Sequence, residues 1–73
     1  MRISYDPYVD ALSIISHEGP VTTQELAEGI AAEYSAEGRL AGIEILDATR
    51  RFGGAETLKQ VVLEGVGFTV AKD

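Results

Sequence analysis

Four carboxylates are the residues whose types and spacing could do chemistry: Asp6, Asp10, Glu44 and Asp47. Hard cations such as Mg²⁺ take oxygen ligands from one or two carboxylates and keep water for the rest. If a hairpin near the N-terminus packs beside a strand at 40–46, Asp10 and Glu44 approach each other and form a small metal-dependent site. A plainer account competes with it and is favoured. In that account Asp6 turns the chain, Asp47 caps a helix, and Glu44 pairs with Arg2 or Arg50. An unpaired buried carboxylate is costly, so Glu44 needs a partner or water.

The other reactive types are sparse. The 73 residues include no Cys, which excludes thiol nucleophiles and thiolate zinc sites. His17 is the single His and has no orienting partner, so it reads as an exposed loop residue. Ser4, Ser13, Ser16 and Ser35 lack a Gly-x-Ser-x-Gly elbow. Gly53-Gly54 and Gly65-Val66-Gly67 are too short to cradle a phosphate. No catalytic residue is assigned, and no cofactor is expected.

Charge suggests binding instead. The formal net charge is −6, and it is unevenly spread. Residues 1–37 hold one base against seven acids, whereas 38–73 hold five of each. Nucleic acid needs phosphate neutralisation by Lys and Arg, so it is an unsuitable partner. A basic protein suits the acidic half through steering and complementarity. Glu25, Glu28, Glu33 and Glu37 are the partner-binding candidates, together with Tyr8, the tyrosine placed in a turn. Tyr5 and Tyr34 have inward parity and are expected in the core.

These residues need a scaffold. Alternation predicts strands at 2–5 and 9–16, joined by a turn at Asp6-Pro7. Residues 21–28 are ambiguous. Thr22-Thr23-Gln24-Glu25 matches a helix capping box, but an extended segment is slightly favoured. A second hairpin joins Ile30, Ala32 and Tyr34 to a strand at 40–46 through Gly38. That last strand carries apolar residues on both faces, which predicts a central strand covered on both sides. Asp47 starts a short helix at 48–52, and helical period resumes over 55–64 with Leu58, Val61 and Val62 on one core-facing stripe. Val66, Phe68 and Val70 predict a final strand. The expected fold is α+β: antiparallel β-hairpins forming a four- or five-stranded sheet with a C-terminal helical segment, in one domain over 1–73.

Three segments occur in an order and spacing that resemble a known family. They are Tyr5-Asp6-Pro7-x-x-Asp10-Ala11-Leu12, Glu37-Gly38-Arg39-Leu40-Ala41-Gly42 and Ile43-Glu44-Ile45-Leu46-Asp47-Ala48. Over residues 1–51 the chain resembles the small prokaryotic family called domain of unknown function 2283. The resemblance implies a small α+β unit built on antiparallel hairpins, with no established activity and no catalytic residues to carry over. It also implies a small single-domain protein of a kind suggested to partner toxin-like proteins. The second hairpin turn departs from the family pattern at Ser35 and Ala36, where acidic residues are common. Ser13 stands where a nearby Tyr is common. Roles that need those groups do not transfer to this chain.

Size sharpens the expectation. A chain of 73 residues buries too little surface for a generous core, and no disulfide can staple it. A homodimer would supply the missing burial. The Cys-free composition fits a reducing cytoplasm. No apolar run approaches the length of a membrane helix, and the first residues lack a signal-peptide core. The expected function is a non-enzymatic protein–protein interaction module, antitoxin-like in role, with the metal site of Asp10 and Glu44 as the alternative.

Overall fold

The computed structural model describes residues 1–67. Five strands form one antiparallel sheet: β1 (Arg2–Asp6), β2 (Ala11–Ile15), β3 (Thr22–Ala27), β4 (Ile30–Tyr34) and β5 (Leu40–Ile45). Their spatial order is β1-β2-β5-β4-β3. A four-residue helix, α1 (Ala48–Arg51), and a single 3₁₀ turn, Ala55–Leu58, follow the sheet. The α+β expectation therefore holds, with five strands.

The turns form for local reasons. Asp6 Oδ1 accepts a hydrogen bond from the Tyr8 N–H at 2.9 Å, which folds the first hairpin at Pro7. Gly38 adopts a φ of 81°, which the second hairpin turn needs. Residues 22–27 are extended, as favoured. Their polar groups pair along β4 from Thr22 opposite Tyr34 to Ala27 opposite Ile30, with a bulge between.

The register sorts side chains onto two unlike faces, because residues opposite each other share a face and neighbours along a strand alternate. Ile3, Tyr5, Leu12, Ile14, Ile43, Ile45, Ile30, Ala32 and Tyr34 make one face, which carries no charge. The other face carries Arg2, Ser4, Asp6, Ser13, Glu44, Glu33, Glu25 and Thr23.

β5 is central, as expected, but it is not covered on both sides. Glu44 is exposed on the polar face. Its expected partners are used elsewhere: Arg2 binds Glu18 at 2.7 Å, and Arg50 binds Asp47 at 3.2 Å. A solvated Glu44 needs no counter-ion.

Burial is slight. Among the described residues the buried hydrophobic side chains are alanines alone: Ala11, Ala32, Ala41 and Ala48. Tyr34 is half-buried, and Tyr5 is 37% exposed, so the expected tyrosine core does not form. A single-layer sheet shields a side chain only by its neighbours, which hides a methyl group but not a ring.

The helix expected over 55–64 shrinks to the 3₁₀ turn. Gly54 precedes it with no side-chain cap, and an uncapped short helix cannot offset its nucleation cost. Val61 and Val62 are 64% and 66% exposed, so the expected core stripe is not one, although Leu58 is half-buried. Of the expected final strand, Val66 and Gly67 lie in no strand, and Gly67 has a φ of 69°. Phe68 and Val70 lie outside the described residues.

Candidate functional site

Among the described residues, the carboxylate that accepts the most hydrogen bonds is that of Asp10. This residue adopts a left-handed backbone with φ 55°, at the end of the first hairpin turn. Its carboxylate accepts from the Tyr5 hydroxyl at 2.6 Å and from the Thr49 hydroxyl at 2.7 Å. The Thr49 backbone N–H donates to it as well, at 3.1 Å. The Asp10 carbonyl accepts from the Ala48 N–H at 3.0 Å. Asp10 thus caps α1 from another part of the chain, satisfying N–H groups that a short helix leaves free.

This corrects the expectation for Asp47. Asp47 precedes α1 with φ 53° and makes no side-chain capping bond. Its carboxylate turns to Arg50 instead. A left-handed residue directs its side chain away from the first helical N–H groups, and the vacant role falls to Asp10.

Electrostatics follow the same bonds. The Tyr5 hydroxyl first, then Thr49, hold the Asp10 carboxyl below its ordinary value. The same hydrogen bond, seen from the phenol, raises Tyr5 above its ordinary value. Each group thereby favours one form of the other: ionised for Asp10, neutral for Tyr5.

α1 also ties the second hairpin. Arg51 Nε donates to the Leu46 carbonyl at 2.8 Å, and its Nη2 donates to the Glu28 carbonyl. The Leu46 N–H reaches the Gly29 carbonyl at 2.8 Å. One turn of helix therefore clamps the β1–β2 turn through Asp10 and the β3–β4 turn through Arg51. Sequence reasoning missed Thr49 and Arg51. The available signal was an adjacent Arg pair after a helix start, which is read more easily as surface charge.

The two proposed metal ligands stand on different elements. Glu44 lies on β5 opposite Ser13, and Asp10 stands in the first hairpin turn, before β2 begins. The Asp10 oxygens already accept bonds from Tyr5 and Thr49. Among the described residues no group of three or more His, Cys, Asp or Glu is placed to hold a metal ion.

The proposed partner-binding residues are dispersed. Glu25 and Glu33 share the polar face, on β3 and β4. Glu28 lies in the β3–β4 turn beside the clamp, and Glu37 lies in the β4–β5 turn at the opposite end. Tyr8 is 95% exposed at the tip of the first hairpin. It borders a shallow depression on the polar face lined by Ser4, Asp6, Ser13 and Glu44. His17 is exposed and shares a 3.1 Å hydrogen bond with Ser16 Oγ, as suits a loop residue.

With hairpins, register and clamp in place, comparison with known families is decisive. The model of the family described as Protein of unknown function (DUF2283) matches residues 2–48. The chain belongs to this family. The match covers all five strands and stops at Ala48, so the helical half of the clamp lies beyond it. No curated protein and no solved structure matches the chain. No helix among the described residues is long and apolar enough to cross a membrane.

Proposed function

We propose that this family member is a non-enzymatic protein–protein interaction module whose acidic sheet face receives a basic protein, in a role of the antitoxin type. The observation that carries the reading is the composition of the polar face. Asp6, Glu25, Glu33 and Glu44 stand on it, and its single base, Arg2, is engaged by Glu18. Asp6, Glu25 and Glu44 are exposed on it, so it offers long-range attraction to a basic surface. Glu28, Glu37 and Tyr8 extend it at the two ends of the sheet. A cytoplasmic setting belongs to the same reading.

The test is affinity capture from the native host with the whole chain as bait. A basic protein should be recovered, its binding should weaken as salt rises, and Glu25→Lys with Glu33→Lys should abolish it. Reversal at Glu28 and Glu37 should weaken binding less, because those residues sit at the rim. Recovery of no basic protein, or binding indifferent to salt and to charge reversal, overturns the reading.

A further inference from the structure

The two edges of the sheet differ in what surrounds them. β1 carries Arg2 and is bordered by Leu58, Val61 and Leu63 beside Ile3, Ser4 and Tyr5. β3 pairs with β4 on one side only, and all its residues are exposed. Register assigns its free backbone groups. Gly29, just before β4, accepts from the Leu46 N–H, and Ser35, just after it, donates to the Arg39 carbonyl. Backbone groups alternate sides along a strand, so Ala31 and Glu33 also turn to β5. Ala32 and Tyr34 then bond to Gln24 and Thr22, the residues opposite them on β3. That leaves the N–H and C=O of Thr23 and Glu25 pointing outward. No other segment among the described residues bonds to them through its backbone. Natural edges are blunted with Lys, Pro or a bulge. This strand has no Lys or Pro, and its bulge falls after Glu25, so Thr22–Glu25 stays regular.

We infer that the β3 edge takes an extended basic segment of a protein partner as an added strand, bonded to the backbone of Thr23 and Glu25. The inference rests on the acidic face receiving a basic protein, and it gives that contact its mode of binding. Charge selects the occupant. The Thr23 and Glu25 side chains stand on the acidic face, with Glu33 opposite Thr23. Thr22 and Gln24 stand on the other face, which carries no charge. The side chains of an added strand alternate in the same way. One with Lys or Arg at every second residue therefore lays its bases beside Glu25 and Glu33, and its uncharged residues beside Gln24. No Lys or Arg lies between Pro20 and Gly38 to oppose it. Arg51, which reaches the β3–β4 turn, is held by the Leu46 and Glu28 carbonyls. A second copy of the chain does not suit this edge, because its own β3 would bring another Glu25 to the same place. Backbone bonds give such a contact its affinity, and the alternate side chains give it selectivity.

The probe is a short peptide alternating Lys with Val, titrated against the whole chain at low salt. It should bind, slow amide exchange at Thr23 and Glu25, and lose affinity about tenfold or more when every backbone nitrogen of the peptide is methylated. Methylation leaves the charge unchanged, so it reports on the backbone bonds. Thr23→Pro removes one outward N–H without touching a bond to β4 and should weaken binding in the same direction. If that variant fails to fold, the methylated peptide still decides on the native chain. A peptide alternating Glu with Val should not bind, and equal binding by it overturns the choice of a basic occupant. Binding that is lost on Glu25→Lys with Glu33→Lys but is indifferent to methylation overturns the added strand and leaves the acidic-face reading standing. No binding of the Lys peptide also overturns the edge site, whereas failure of the acidic-face reading shows in the capture experiment.

Discussion

The end of the sheet closed by α1 and the segment that follows Lys59 both flank the same strands, yet they are held by different forces. At the closed end, Asp10, Thr49 and Arg51 make directed bonds that tie both hairpin turns to one turn of helix. Among the described residues no hydrogen bond joins 60–67 to the sheet, and Val61 and Leu63 border Ile3, Tyr5 and Leu12 across a shared depression. The contrast shows how a chain whose buried hydrophobic side chains, among the described residues, are alanines holds a defined shape. Directional polar bonds locate its elements.

The sharpest way to break that contrast is at Asp10. Asp10→Ala removes the acceptor for Tyr5 and Thr49 together and frees the N-terminus of α1. It should give the largest fall in denaturation midpoint of any change discussed here, with faster amide exchange at Thr49. Tyr5→Phe removes one bond and should cost less. Equal effects would mean that capping α1 contributes nothing. The pH dependence has a defined sign at both ends. Asp10 titrates below its ordinary 3.8 when folded, so its contribution is complete above that value and is lost as pH falls through the lower folded value. Tyr5 titrates above its ordinary 10.0 when folded, so its contribution is complete below that value and is lost as pH rises through the higher one. Tyr5→Phe should abolish the alkaline loss and shrink the acid one, as read from denaturation midpoints across pH.

A second comparison uses two glycines in similar backbone conformations. Gly29, with φ 77°, lies under the Arg51 guanidinium, and a Cβ there would collide with it. Gly65, with φ 70°, would meet nothing within 4 Å. Gly29→Ala should cost more than ~1 kcal/mol, combining left-handed strain with displacement of Arg51 from the Glu28 carbonyl. Gly65→Ala should stay within about 0.5 kcal/mol, because strain in a segment with little packing is relieved locally. Chemical denaturation of both variants checks the pair. Equal losses would mean that the segment around Gly65 is as constrained as the clamp.

What was legible in the sequence divides along the same line. Pro7 and Gly38 announced their hairpins, because turn chemistry is local. The strand over 22–27 was harder, since Thr22-Thr23-Gln24-Glu25 also fits a helix cap. The extended form is stabilised by β4, whose alternating residues were readable. The carboxylates Asp10, Glu44 and Asp47 were visible as residues but not as roles. Asp10 reaches Thr49, 39 positions away, and does so because Asp47 is left-handed, a backbone state that residue types do not announce. The helical period at Leu58, Val61 and Val62 was real as a pattern. A pattern becomes a helix only where its apolar face is buried and its ends are capped, and here neither holds.

The smallest effect is expected at Val61 and Val62, and it tests the weakly held side of the comparison. Each is about two-thirds exposed, so truncation removes little buried surface: 64% and 66% of the two residues already meets water. Val62→Ser should change unfolding free energy by no more than about 0.5 kcal/mol, the usual range for a surface position. Val61→Ser should cost slightly more, because Val61 borders the depression shared with Ile3 and Leu12. Chemical denaturation at a low and a high protein concentration separates two sources of any larger loss. A loss of more than ~1 kcal/mol at both concentrations would show that the segment carries part of the monomer's stability. A loss that appears only at the higher concentration would place Val61 or Val62 in a contact between copies of the chain.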